Sequence, residues 1–457
     1  MALSVLLLLS GCPSDGSSGP TLPSSPSASP STVPDGPRIE PASVSLFARG
    51  TYFVGAGTHL GSRRDLGFEA APTRAALGRL GFNSYRDDVF WQAFAPRGDA
   101  DTGSLLAKQA EGLSTIAERP LLVLNGGHTL VANASPPLDD QARAAFARFA
   151  VRAVAATSAK APIYEIWNEW NRSAETNAAA FEDEGPPHDP RFAGNYAALA
   201  KAVVPAIRSA HPDATILVGG AATDWQWKWL MGAVRRGALA GADGLSVHLY
   251  NQCYPQLRGA GEMIARLDAL HQQTRAFNGN RDVPIYVTEW GWSTGRACAA
   301  SADFVIANSA QFLFAAAARP WVRGTWQYVL KDTARDSSAM EDTFGILDFD
   351  YRDKPTTCAV QDAVRVLRAV RTIGEAAPVD GVQVIYAQTA TGYIAIAWDR
   401  PGGGKAVVVD GQTPATVTPV CGTAAPLGSD RRVPLSAVPV VIDLGQTLRG
   451  MTVVPVS

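Results

Sequence analysis

The chain has no apolar run approaching the ~18 residues that a membrane-spanning helix needs, so no segment is a candidate for one. Charge is scarce and balanced. Charged residues make up 18% of the 457, below the roughly 25% of an average globular protein. Lys and Arg number 40 against 42 Asp and Glu, a net charge of -2, which argues against a nucleic-acid binder because phosphates call for a cationic excess. Cysteine is rare, five in all with no pair at metal-ligand spacing, and the six His have no close pair either. We therefore expect no metal and no cofactor. Repeats are absent beyond a strand–helix rhythm. What the chain does have is apolar content: at 46% hydrophobic residues it can bury a large core, and disorder of the whole chain is excluded.

The N-terminus reads MALSVLLLLSGC. Residues 2–9 are apolar, and Leu9-Ser10-Gly11-Cys12 resembles a bacterial lipobox, in which Cys12 is lipidated and becomes the first mature residue. Two features depart from that pattern: no Lys or Arg precedes the apolar stretch, and the stretch is short. A translation start further upstream would account for both. Residues 1–12 read as a lipoprotein-type signal. Residues 13–40 read as a linker rich in Pro and Ser, too poor in apolar residues to fold. At ~3.1 Å per residue its Pro-rich part could hold a folded domain up to ~75 Å from a membrane surface. The expected location is the periplasm or surface of a bacterium. Four further cysteines, Cys253, Cys298, Cys358 and Cys421, suit two disulfides there.

From residue 52 to about 373, short apolar β-rich runs alternate with longer amphipathic stretches. The strand candidates are 52–55, 83–86, 121–125, 163–168, 215–219, 244–249, 285–289 and 324–328. Helical patterns lie between and after them, among them 72–80, 139–157, 191–210, 259–277, 301–318 and 356–371. Eight strands each followed by a helix predict an α/β fold, a (β/α)8 TIM barrel over 41–375, and the continuously apolar strands fit a sheet covered on both sides. After Gly374 the texture changes to short strands between Gly, Pro and Asp turns, predicting a small antiparallel β-sandwich over 376–457. Residues 42–47 could add a strand to it.

Active sites of such barrels lie where the strands end. The fourth strand ends in Trp167-Asn168-Glu169 and the seventh in Thr288-Glu289-Trp290-Gly291. A Glu closing an apolar strand is costly to bury unpaired, and two of them facing one cleft are what retaining glycoside hydrolysis needs.

IYEIWNEWN and IYVTEWGWST resemble the two active-site signatures of clan A glycoside hydrolases. Within the clan, GFNSYRDDVFW resembles glycoside hydrolase family 39 and its relatives that cut biofilm exopolysaccharides. The resemblance implies that Glu169 is the general acid/base and Glu289 the nucleophile. It implies that Asn168 bonds the sugar 2-hydroxyl, that Arg86 and Tyr250 donate to Glu289, that His248 lines the floor and that Trp326 is the platform under the sugar. Glu169 is then expected to hold its proton near neutrality, its pKa raised by apolar neighbours such as Trp167 and by the charge of Glu289. His128, His188 and Trp292 are further subsite candidates. Trp91, Trp170, Trp290 and the 225–229 Trp cluster supply aromatic faces, although three Trp at spacing two cannot share one face of a helix.

Loop positions propose the disulfides. Cys253 and Cys298 follow the sixth and seventh strands and would brace the cleft, leaving Cys358 and Cys421 to clip the barrel to the sandwich. The leading expectation is a retaining glycosidase, endo-acting on a β-linked bacterial exopolysaccharide, with a lipid anchor at Cys12 as its membrane contact. The alternatives are an exo-acting β-xylosidase or iduronidase-like enzyme, or a carbohydrate-binding or export-accessory surface lipoprotein.

Overall fold

A computed structural model describes residues 35–456 apart from 62, 99–118, 133–135, 173–192, 223, 254–258, 297, 299, 401 and 412–415. The expected signal, Cys12, most of the linker and His188 lie outside the described residues. Two short strands, β1 (Arg38–Ile39) and β2 (Phe47–Ala48), precede eight parallel strands that close into a barrel. These are β3 (Phe53–Gly57), β4 (Ser84–Phe90), β5 (Leu121–Asn125), β6 (Ile163–Ile166), β7 (Thr215–Ala221), β8 (Gly244–Leu249), β9 (Ile285–Trp290) and β10 (Val322–Gln327), with β10 pairing β3.

Two of the long helices between them start where the sequence offers a cap. Asp139 accepts from the backbone N–H of Ala142 at the head of Asp140–Thr157, and Ser301 does the same for Phe304 ahead of Ala302–Ala317. Both helices bury their apolar faces against the outside of the barrel. Strands β5, β8 and β9 are buried at nearly every position, which explains their unbroken apolar runs.

The barrel interior corrects one expectation. Trp326 is fully buried in a cluster with Phe53, Leu121, Val123, Ile163, Leu217 and Tyr286, side chains of six barrel strands that only the barrel interior can gather. Its indole fits because two neighbouring positions lack side chains. A Cβ on Gly55 would stand 2.5 Å from Trp326 Cδ1, and one on Gly324 would stand 2.9 Å from Cη2. The indole N–H donates to Ser84 Oγ at 2.9 Å. Trp326 is barrel core, not a sugar platform.

Beyond the helix Thr357–Ala369, two antiparallel sheets follow. The larger joins β2 to β11 (Thr372–Glu375), β12 (Val382–Gln388), β13 (Tyr393–Asp399), β15 (Thr416–Pro419), β16 (Ala425–Pro426) and β18 (Val440–Gly445). The smaller joins β1 to β14 (Lys405–Val409), β17 (Arg432–Pro434) and β19 (Met451–Pro455). Period two divides β12 cleanly: Val382, Val384 and Tyr386 face the sandwich core, whereas Ile385 and Ala387 join the main core of the barrel. The larger sheet is thus sandwiched between the smaller sheet and the barrel. Cys358 is bonded to Cys421, tying the last barrel helix to the sandwich, and Cys253 to Cys298 across two barrel loops. Disulfides of this kind persist in oxidising compartments outside the cytoplasm. Among the described residues no helix is long and apolar enough to cross a membrane.

Candidate active site

A cavity of about 390 Å³ opens at the C-terminal ends of the barrel strands, lined by residues from β4 and β9, the β6 turn and the segments after β3, β8 and β10. That volume falls within the ~300–1,000 Å³ of small-molecule sites. Arg86, near the middle of β4, organises its floor. Its Nη1 donates to Glu289 Oε1 at 2.6 Å, its Nε to Glu165 Oε2 at 3.1 Å and its Nη2 to Asn168 Oδ1 at 2.7 Å. With its carbonyl oxygen engaged, Asn168 keeps its NH2 group for the cavity it lines. Glu289 accepts a second bond, from Tyr250 Oη to Oε2 at 2.7 Å.

Glu169 reaches the same space from the turn after β6. Trp167 and Glu169 both have left-handed backbones, with φ of 67° and 46°, a conformation that side chains other than glycine seldom take and that gathers at functional sites. Bonds from Trp167 N–H to the Leu124 carbonyl (2.9 Å) and from Glu169 N–H to the Gly220 carbonyl (2.8 Å) pin the turn. Gly220 is needed there, since a Cβ would stand 2.8 Å from the Trp167 oxygen.

His248 lies between the two acids. Its Nδ1 is 2.8 Å from Glu169 Oε1 and 3.4 Å from Glu289 Oε2, and one oxygen of each carboxylate lies within 4.8 Å of the other and of this nitrogen. Burial works against a charged imidazole, but the charge of Glu289 and the hydrogen bond to Glu169 outweigh it, so the His248 pKa is raised. The reciprocal effect corrects another expectation. Burial alone would raise Glu169, yet the His248 bond and charge, with Arg172 adding to them, bring its pKa below the ordinary value. Both directions favour the imidazolium–carboxylate form of the pair.

The structure therefore gathers Arg86, Asn168, Glu169, His248, Tyr250 and Glu289 in one place. It does not bring Trp326, His128 or Trp292 to the cavity. His128 is fully buried, tilted against the Trp91 ring with Nε2 at 2.8 Å from the Ala95 carbonyl. Trp292 is buried between Trp290 and Phe304, its N–H donating to Asn251 Oδ1. Trp91, Trp170, Trp227, Trp229 and Trp290 are core residues as well, and Trp225 is half-buried beneath the Arg266 guanidinium. The aromatic wall consists instead of Tyr250, Tyr328 and Phe344.

Sequence reasoning also missed Glu165, His59, Asp88, Arg172 and Glu341. Glu165 sits in mid-strand, where burial with Arg86 and Thr288 hides it among apolar neighbours. Tyr328 had a signal: it is two residues past Trp326 in the expected strand 324–328, and it follows directly on the end of β10 at the cavity.

Residues 70–319, more than half of the chain, match the family model described as cellulase, glycosyl hydrolase family 5. The chain belongs to this family. It is a clan A glycoside hydrolase, and its expected resemblance to family 39 reappears as a shared fold. A family 39 glycoside hydrolase from Bacteroides cellulosilyticus WH2 superposes with a TM-score of 0.68 at 17% identity, over 87% of this chain and 82% of that one. A monomeric β-xylosidase from Caulobacter crescentus CB15 gives 0.57 at 13% identity, over 91% and 98%. A family 5 subfamily 18 protein from Streptomyces cattleya, in complex with GlcNAc, gives 0.55 at 19%, over 70% and 81%. No curated protein matches the chain.

Proposed function

We propose that this glycosidase cleaves β-linked polysaccharide by double displacement, with Glu289 as nucleophile and Glu169 as acid/base. The observation that supports the roles is the approach of one oxygen of each carboxylate to within 4.8 Å. Retaining enzymes hold the pair ~5–5.5 Å apart, whereas inverting ones leave ~6.5–9.5 Å for a water.

Glu289 attacks the anomeric carbon while the leaving oxygen takes a proton from Glu169. The proton passes to Glu169 Oε1 from His248 Nδ1 along their 2.8 Å contact. Once the glycosyl ester has formed, Glu289 is neutral and its pull on the imidazole is gone. Glu169 then deprotonates the water that attacks the ester, and the proton returns to the His248–Glu169 pair. The Asn168 NH2 donates to the sugar 2-hydroxyl, and Tyr328 offers the ring face under the sugar.

Endo action on a bacterial exopolysaccharide is the finer reading, supported by the sequence resemblance and by the two disulfides, which suit a compartment outside the cytoplasm. The test compares wild type with Glu289→Gln on a panel of defined β-linked polysaccharides, following chain length and reducing ends. Wild type should shorten one polymer rapidly into oligosaccharides, with the variant slower by ~10⁴-fold or more. Equal activity of the two would refute the role of Glu289. Monosaccharide release with chain length preserved would replace endo with exo action.

A further inference from the structure

Resting on the glycosidase reading, we propose that the sugar bound at the cleavage point carries a free amine and no carboxylate, with Asp88 and Glu341 receiving its ammonium group. The cavity and its floor hold five carboxylates, Asp88, Glu165, Glu169, Glu289 and Glu341, against the cations Arg86, Arg172 and His248. Each cation is already matched. Every guanidinium nitrogen of Arg86 is directed at Glu165, Glu289 or Asn168. Arg172 Nη1 lies 3.4 Å from Glu169, and His248 bridges Glu169 and Glu289 from beneath.

Asp88 and Glu341 are left without an ion pair among the described residues. They come from different walls. Asp88 is the half-buried residue two beyond Arg86 on β4, its carboxylate accepting from Asn125. Glu341 is exposed and begins the short helical turn Glu341–Thr343 after β10. Burial, with the charge of Glu289 adding to it, holds Asp88 up at about 6, and at the cavity rim partial desolvation and the charges of Glu169 and Glu289 raise Glu341. An ammonium entering the cavity they line relieves the crowding. A neutral sugar or an N-acetylated one leaves it as it is. A uronic acid adds to it, and no uncommitted cation stands ready among the described residues to receive its carboxylate.

The experiment measures kcat/KM of the wild-type enzyme on β-linked tetrasaccharides of glucosamine, N-acetylglucosamine, glucose and glucuronic acid, in 1,3-, 1,4- and 1,6-linked series. Within the linkage that the enzyme cuts, glucosamine should be preferred over glucose by about ten-fold or more, and glucuronic acid should be worst. In the Asp88→Asn, Glu341→Gln double variant the same ratio, read within that variant, should fall to about three-fold or less. A glucose, N-acetylglucosamine or glucuronic acid substrate cut as fast as glucosamine overturns the proposal, as does a preference that the double variant keeps. If no series is cut by wild type, the amine proposal is overturned, and the glycosidase reading is judged by the polysaccharide panel above. If neutral glycans are cut without preference, only the amine is lost.

Discussion

Replacing Trp326 with Ala separates two roles that a Trp at the end of the eighth barrel strand could play. The side chain is fully buried, and its neighbours Gly55 and Gly324 have no atoms that can move into the space it leaves. Large-to-small changes of a buried Trp cost ~3–5 kcal/mol, and a cavity that cannot collapse belongs at the upper end. Ser84 loses the indole donor but keeps its bond to the Arg119 carbonyl at 2.6 Å, so no buried hydroxyl is orphaned. At ~1 °C per kcal/mol for a cooperative unit of this size, the melting temperature should fall by about 5 °C. Tyr328→Ala should do the reverse, with a small thermal shift and a large loss in kcat/KM, about 100-fold, because it strips the cavity wall. Calorimetric melting and steady-state kinetics on both variants decide the matter. A Trp326→Ala enzyme that melts like wild type but binds substrate poorly would refute the placement of Trp326 in the core.

The pH profile should carry the signature of His248. Its pKa is raised, so the imidazole is charged below that value and the proton available to Glu169 is lost as pH rises through it. Activity should therefore decline on the alkaline side of the ordinary imidazole range, and His248→Gln should move that alkaline limb to lower pH because Glu169 then holds the proton alone. An unmoved limb would contradict the shared proton. Arg86→Met should leave Glu165 and Glu289 buried without their cation, costing ~3–5 kcal/mol in denaturant titration as well as most of the activity. Cys358→Ser together with Cys421→Ser opens a loop of 63 residues and should cost ~4 kcal/mol of stability in the chain-entropy view, with kcat at 25 °C unchanged. A large loss of kcat would mean that the sandwich shapes the cleft.

Much of this architecture is legible in the chain. The strand over 121–125 and the one over 244–249 match β5 and β8 at both ends, because a covered parallel strand must be apolar throughout and stops where polar residues begin. The same logic delivers Glu169 and Glu289, charged groups set where apolar runs end. What pattern alone does not give is depth. Period two along the expected strand 324–328 gives Trp326 and Tyr328 the same direction, and only the glycines at 55 and 324 reveal which of them is packed inside. Tryptophans near strand ends invite a stacking role, yet Trp91, Trp170 and Trp290 turn outward to pack beneath the helices. Protonation is hidden for another reason. Apolar neighbours alone would raise Glu169, and the contact that reverses this comes from His248, 79 positions away.

The central claim, that two carboxylates work as nucleophile and acid/base on one sugar, is tested most directly by the stereochemistry of the first product. Proton NMR of a β-linked oligosaccharide during the first minutes of hydrolysis distinguishes the anomers before they interconvert. The separation of Glu169 and Glu289 predicts that the β-anomer forms first and the α-anomer grows in later by mutarotation. An α-anomer appearing first would mean single displacement by water and would contradict the account.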